Sequence, residues 1–292
     1  MFNKIIVIIG PTASNKTKLA ITLANKFSGE IINADAFQVY KEMKIGTARA
    51  TDEEKKQATF HLDGEISIYE KWDIKKFQEY AIKIIDKLQL ENKTPIIIGG
   101  SHLYIDALIK NYDLTLSKVR NDKFTDLTNK ELYEKLEEKN KQLAEKITIN
   151  NRQRLIRALQ ILEDSNSLNS KKKEKYDYVL VQCDMSRNDL YKRINYRVEK
   201  MLELGWIDEV KEIYNHDNDI EKLNAFKAIG YRTILSSIKN NIPIDIERIK
   251  TDTRRYAKRQ LTWIRNHYQN ALIFDQNNLD EIINEITKWL KK

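Results

Sequence analysis

Lys4-Ile5-Ile6-Val7-Ile8-Ile9, running directly into Gly10-Pro11-Thr12-Ala13-Ser14-Asn15-Lys16-Thr17, decides the fold. The first six residues are a short, nearly continuous β-branched apolar run, as expected of a strand buried on both faces of a parallel sheet. The Gly-Pro pair ends it. From Lys18 to Phe27, Leu19, Leu23 and Phe27 with Ala20 and Ala24 form one helical stripe. A strand, a turn closed by Lys-Thr, then a helix is the context of a phosphate-binding loop. In such a loop, backbone N–H groups converge on phosphate oxygens and the helix adds its positive end. Gly10, Thr12, Ala13, Ser14, Asn15, Lys16 and Thr17 are the expected cradle, with the Lys16 ammonium on the terminal phosphate and the Thr17 hydroxyl as ligand to Mg²⁺. Asn15 stands where the usual pattern has Gly, and Asn is the side chain that best tolerates a left-handed backbone.

Working outward, Glu30–Ala34 reads as a second strand ending at Asp35, and Thr94–Ile98 as a third, closed by Gly99-Gly100-Ser101. Between them, Ile74, Phe77, Ala81, Ile84, Ile85 and Leu88 keep a helical period, and Leu103–Ile109 starts another helix. Alternating strands and helices predict an α/β fold: a P-loop NTPase-like parallel sheet flanked by helices. From Asp113 the pattern changes. Residues 115–146 lack a convincing strand and alternate charges of both signs, and Asn150 or Asn151 is placed to cap a helix carrying Leu155, Leu159 and Leu162. We therefore expect a smaller, mostly helical insertion over 115–173, with a polar loop at Ser165–Lys175, inside a core made of 1–114 and 174–292. Tyr176–Cys183 returns to strand. Helices follow over Arg187–Leu204, Asp208–Tyr214 and Ile246–Tyr268, then a strand at Ala271–Phe274 and a last helix through Leu290.

The 292-residue chain carries a net charge of +8, with a single cysteine, Cys183. That excludes an internal disulfide and a cysteine zinc cluster, and suits a reduced compartment. The only strongly apolar run near the start, Ile5–Ile9, is too short to span a membrane, so a cytoplasmic chain is expected. The positive excess concentrates in Arg248–Arg265, where Arg248, Lys250, Arg254, Arg255, Lys258, Arg259 and Arg265 face only Asp252. On the helix, Arg254, Lys258 and Arg265 form one basic row and Arg255 with Arg259 another, beside an apolar stripe of Ala257, Leu261, Ile264 and Tyr268. A polyanionic partner is one reading of those rows, and a solvated helix face the other.

Asp35 leaves the carboxyl end of a strand, where parallel sheets form their ligand crevice. It could take a proton from an attacking group, hold a cation, or simply cap a turn. The loop alone says only that a phosphate or diphosphate binds, and leaves a nucleotide or nucleoside kinase open.

GPTASNKT at 10–17, ADAFQVY at 34–40, IGTA at 45–48, PIIIGGSHLY at 95–104, NNRQRLIRAL at 150–159, RVEKMLELGWIDEV at 197–210, KAIGYR at 227–232 and TRRYAKRQLTWIR at 253–265 occur in this order along nearly the whole chain. Together they resemble the tRNA dimethylallyltransferase (tRNA isopentenyltransferase) family. The resemblance implies transfer of a dimethylallyl group from dimethylallyl diphosphate to the exocyclic amine of the adenosine just 3′ of the anticodon. It implies Asp35 as the base, and Lys16, Thr17 and Mg²⁺ at the departing diphosphate. Ser101, where the family has Thr, would meet the flipped adenine together with Asp35. It further implies tRNA contacts at Asp35, Ala36, Phe37 and Gln38, at Arg120, and at Gln153, Arg154 and Arg157. Two more groups are implied, Lys227, Gly230, Tyr231 and Arg232, and Lys258, Arg259, Gln260, Trp263 and Arg265. The expected partners are tRNA and dimethylallyl diphosphate, without a membrane, and a monomer is expected. Departures from the family are Asn15 for Gly, Ala36 for Ser, Phe37 for Met, His102 for Gly and Phe60 for His. They leave a tRNA-binding protein with a decayed active site as a further alternative.

Overall fold

The computed structural model describes residues 3–114, 124, 126–163, 174–217, 219–275 and 277–292. Six strands, β1 (Lys4–Ile9), β2 (Gly29–Asn33), β3 (Phe60–His61), β4 (Thr94–Gly99), β5 (Asp177–Cys183) and β6 (Leu272–Phe274), form one sheet in the order β3-β2-β4-β1-β5-β6. Every neighbouring pair is parallel. β1 is central, and all of Ile5–Ile9 is buried, which is why its sequence does not alternate. Its side chains divide between two cores. Ile5, Val7 and Ile9 pack with α3 (Ile74–Leu90), α4 (His102–Ile109) and α11 (Ile246–His267). Ile6 and Ile8 pack on the other face, with α1 (Lys16–Lys26) and α12 (Leu279–Lys291). A sheet covered on both sides has a free crevice only at its strand ends.

Register sets that crevice. Ile9 lies opposite Gly99, and Asn33 opposite Ile98, so the chain leaves β1, β2 and β4 at nearly one level. Gly10, Asp35 and Ser101 follow from those exits. α8 (Arg187–Glu203) and α11 pack against each other, and α9 (Trp206–His216) and α10 (Tyr231–Asn240) lie under the segment after β2. Several starts are capped as local chemistry dictates. Asp73 accepts from Lys75 N–H and Lys76 N–H, Ser186 from Asp189 N–H, and Asp245 from Arg248 N–H.

Helices α2 (Asp52–Gln57) and α10 and the two-residue β3 were not anticipated. β3 is too short to show a period. α2 buries no side chain, so its only signal is the Thr51–Glu54 capping box. α10 carries a readable stripe of Ile234, Leu235 and Ile238 beyond the KAIGYR segment.

The described residues fall into two compact units, 1–110 with 174–292, and 111–173. The smaller contains α5 (Asn129–Lys139), α6 (Lys141–Ala144) and α7 (Arg152–Glu163) around Phe124, Leu132, Leu136, Ala144, Leu155, Ala158 and Leu159. Asn151 Oδ1 accepts from Arg154 N–H at 3.3 Å, the cap expected at this helix. Gln153 and Arg154 are exposed and Arg157 half-buried on α7. Arg120 and most of the expected loop at 165–175 lie outside the described residues.

Candidate active site

The loop between β1 and α1 bends through two left-handed non-glycine residues, Ala13 (φ 65°) and Asn15 (φ 65°). Asn15 thus adopts the backbone that a Gly would occupy, and it delivers Lys16 as the first residue of α1. The Asn15 carboxamide oxygen accepts from Arg193 of α8. Gly10 is required by close approach, since a Cβ there would lie 2.6 Å from Ser14 Oγ. Ser14 is 3% exposed, and its Oγ has no hydrogen-bond partner among the described residues. An orphaned buried hydroxyl in a loop with two left-handed residues suits an anion better than a plain turn does.

Lys16 Nζ donates to Pro11 O at 2.7 Å across the loop. Burial pushes its ammonium down to about 8, with the Arg197 charge acting the same way and Asp35 opposing. Arg197 is also pulled below its ordinary value by burial, and its guanidinium reaches Thr12 Oγ1 and Ala48 O, both at 3.5 Å. Lys16, Arg49, Arg193 and Arg197 share one cavity of about 400 Å³ with Asp35 and Glu54, so cations exceed anions there.

Asp35 does what a turn-capping Asp does, and it retains a free oxygen. Oδ1 accepts Phe37 N–H (2.9 Å) and Gln38 N–H (3.3 Å), and Oδ2 is available to a ligand. Ser101 Oγ accepts Ala36 N–H at 3.1 Å, tying the end of β4 to the same turn. A second cavity, about 260 Å³, adjoins the first. It shares Thr12, Ala13, Asp35, Thr47, Arg197 and Tyr256, but it is walled by Phe37, Ile194, Val198, Met201 and Trp206. Lys227 and Arg259 also line it. Asp35 thus lies between a cationic chamber and a largely apolar one. Tyr256 is pushed up to about 12, chiefly by burial and then by the Asp35 charge, so it stays a neutral hydroxyl.

The expected contacts differ in depth. Gln260 is 4% exposed and uses its carboxamide inside the protein. Tyr231 is fully buried, with its hydroxyl donating to Glu209 at 2.7 Å. Gly230 is buried because a Cβ would lie 2.1 Å from the Trp206 ring. Gln38 is half-buried in the lining of the first cavity, where it donates to Thr47 O and Ala48 O and accepts from Asn33. Trp263 is half-buried and stacks on His267 at 4.3 Å. Lys227, Arg232, Lys258, Arg259 and Arg265 are exposed. Arg254 turns inward to Asn195 (2.6 Å), and Arg255 pairs with Asp252 (3.5 Å), so the two basic rows reduce to fewer free cations.

Arg49, Arg193, Arg197, Tyr256 and Glu209 were missed. Arg193 and Arg197 sit one step off the buried stripe of Leu190, Ile194, Val198 and Met201, a position that reads as solvated until α8 is packed on the loop. Glu209 accepts from Ile45 N–H (2.6 Å) and Gly46 N–H (3.1 Å), anchoring the IGTA segment that contributes Gly46 and Thr47 to the second cavity.

The parallel sheet thus carries a tight strand-to-helix loop with buried cations, a carboxylate at the next strand's end and an apolar chamber beside it. The family model described as IPP transferase matches residues 38–267, and the chain belongs to that family. A tRNA dimethylallyltransferase of Malacoplasma penetrans is 40% identical, with 96% of this chain and 95% of that one covered. The solved tRNA isopentenylpyrophosphate transferase of Bacillus halodurans is 34% identical with a TM-score of 0.77, covering 99% of this chain and 97% of the other. A eukaryotic dimethylallyltransferase solved acting on tRNA gives a TM-score of 0.83 at 28% identity, covering 95% of this chain and 75% of that one. Among the described residues no helix is long and apolar enough to cross a membrane.

Proposed function

We propose that this chain transfers a dimethylallyl group from dimethylallyl diphosphate to the exocyclic amine of the adenosine just 3′ of a tRNA anticodon, releasing diphosphate. The observation that carries this is the position of Asp35, which lines both the cationic and the apolar cavity. The diphosphate belongs in the first, against the loop amides, Ser14, Lys16, Arg193 and Arg197. The prenyl chain and the adenine belong at the second, which requires the base to leave its stack.

The adenine amine is a weak nucleophile because its lone pair is delocalised into the ring. As its nitrogen bonds to the allylic carbon, the carbon–oxygen bond to diphosphate breaks and the amine loses a proton. Asp35 Oδ2 is the acceptor, while Oδ1 keeps the carboxylate oriented through two backbone N–H groups. Lys16 and Arg197, desolvated and fixed in place, offset the charge gathering on the leaving diphosphate. The Ser101 hydroxyl holds the Ala36 turn and hydrogen-bonds the Tyr256 hydroxyl beside Asp35.

No group of three or more His, Cys, Asp or Glu side chains among the described residues forms a dedicated metal cage. The oxygen-rich rim nevertheless suits Mg²⁺, which takes few protein ligands and several from phosphate and water. Thr17 is the residue that would hold it, and when bound the ion would neutralise diphosphate charge.

The test is incubation of protein and tRNA with labelled dimethylallyl diphosphate or with labelled ATP, followed by mass spectrometry of the tRNA nucleosides. Label in adenosine from the first donor is expected. Label from ATP alone would replace this reading by the kinase, and tRNA binding with no modified nucleoside at saturating donor and Mg²⁺ by the decayed-site alternative.

A further inference from the structure

Gln260 lies on α11, the helix that carries exposed Lys258, Arg259 and Arg265, yet its side chain points the other way. A carboxamide is a donor and an acceptor at once, so it can grip one N–H and one C=O together. Here it does so between two loops. Oε1 accepts Thr12 N–H at 2.8 Å, in the phosphate loop, and Nε2 donates to Gly100 O at 2.9 Å, in the turn leading from β4 to Ser101. It is 4% exposed, so both bonds are shielded from competing water. The fit is close, since a Cβ on Gly100 would lie 2.3 Å from Nε2. The helix is held in this position by buried Ala257 and Ile264 on its own stripe, and by Arg254 reaching Asn195 of α8 at 2.6 Å.

We propose that Gln260 is a positioning residue for the diphosphate cradle rather than a tRNA contact. Its crossbar sets the entry of the phosphate loop against the Gly100–Ser101 turn, so that the remaining amides and the Ser101 hydroxyl face one substrate at a fixed spacing. Thr12 N–H is thereby withheld from the diphosphate, which is left to the amides nearer Lys16. The proposal rests on the diphosphate reading of the loop. Its test therefore uses inorganic diphosphate as the probe, measured by calorimetry, so that failure of transfer to tRNA and failure of the crossbar remain distinguishable.

Gln260→Met keeps the volume and removes both loop hydrogen bonds, together with the one to the Tyr256 hydroxyl. Expected is about a tenfold loss of diphosphate affinity and a similar rise in donor KM, with kcat changed less, because a buried N–H and C=O lose their partner. The dissociation constant for tRNA without donor should stay within about twofold, which also reports that the variant is folded. Gly100→Ala attacks the same contact from the other side and should reproduce the donor defect. Combined with Gln260→Ala, it should add nothing to the effect of Gln260→Ala alone, because the clash has been removed. A variant that lost tRNA affinity while keeping diphosphate affinity would overturn the proposal, as would additive losses in the double variant.

Discussion

The phosphate cradle and the outer face of α11 both gather positive charge, but they use it in opposite ways. Around the cradle, Lys16 and Arg197 are buried deeply enough that their ordinary values are pulled down. On α11, Lys258, Arg259 and Arg265 stand in solvent. A few desolvated cations act strongly on one point, where charge develops on a leaving group. Exposed cations act weakly, add up over a long polyanion and are screened by salt. One net charge of +8 therefore contains two different instruments.

The comparison can be broken first at Asp35, where the cradle meets the acceptor. Asp35→Asn keeps an oxygen for the Phe37 and Gln38 amides, so the turn should survive. Turnover should nevertheless fall roughly a hundred- to ten-thousand-fold with tRNA affinity intact, as single-turnover rates and filter binding would report. Unchanged turnover would remove Asp35 as the proton acceptor. Arg197→Met should lower kcat/KM for the donor by about a hundredfold and leave tRNA affinity alone. A loss confined to tRNA would mean that the buried cation serves the wrong partner.

The pH dependence separates the two regions more finely. Lys16 is held near 8 in the free protein, so it is charged below that value and loses its proton above it. Raising pH from 7 to 9 should therefore weaken donor binding by about tenfold, seen in kcat/KM for the donor. A flat profile over that window would show that Lys16 keeps its charge. The smallest effects belong to α11. Lys258→Ala and Arg265→Ala should each reduce tRNA affinity only a few-fold, each lowering the salt slope by about one, without altering diphosphate affinity.

Much of this was legible in residue order. The apolar run from Lys4 predicts β1 over the residues it occupies, and the tolerance of Asn for a left-handed backbone anticipates the φ of 65° at Asn15. Depth was harder to read. Gln260 and Tyr231 look like contacts because they are polar or aromatic within recognisable motifs, yet both are buried. For Gln260 the signal existed, since it falls in phase with Ala257 and Ile264, the buried stripe of α11. Arg193 carried no comparable signal, and Arg197 stood out only as the first residue of the 197–210 motif, because the value of both comes from α8 lying beside the loop. A residue's periodicity reports its own helix, whereas a catalytic cavity is made by the meeting of several.

Trp206 offers a last consequence. Its indole fills the space that a Cβ would take at Gly46, 1.9 Å away, and at Gly230, 2.1 Å away, while it also walls the apolar cavity beside Asp35. These three positions consequently have an order in which they can be altered. Replacing either glycine first drives the indole from its slot, whereas shrinking Trp206 first makes room at Gly46 and widens the chamber in one step, while Gly230 stays fixed as glycine by its φ of 88°. A path toward a bulkier allylic donor therefore opens at Trp206 and is closed from either neighbour.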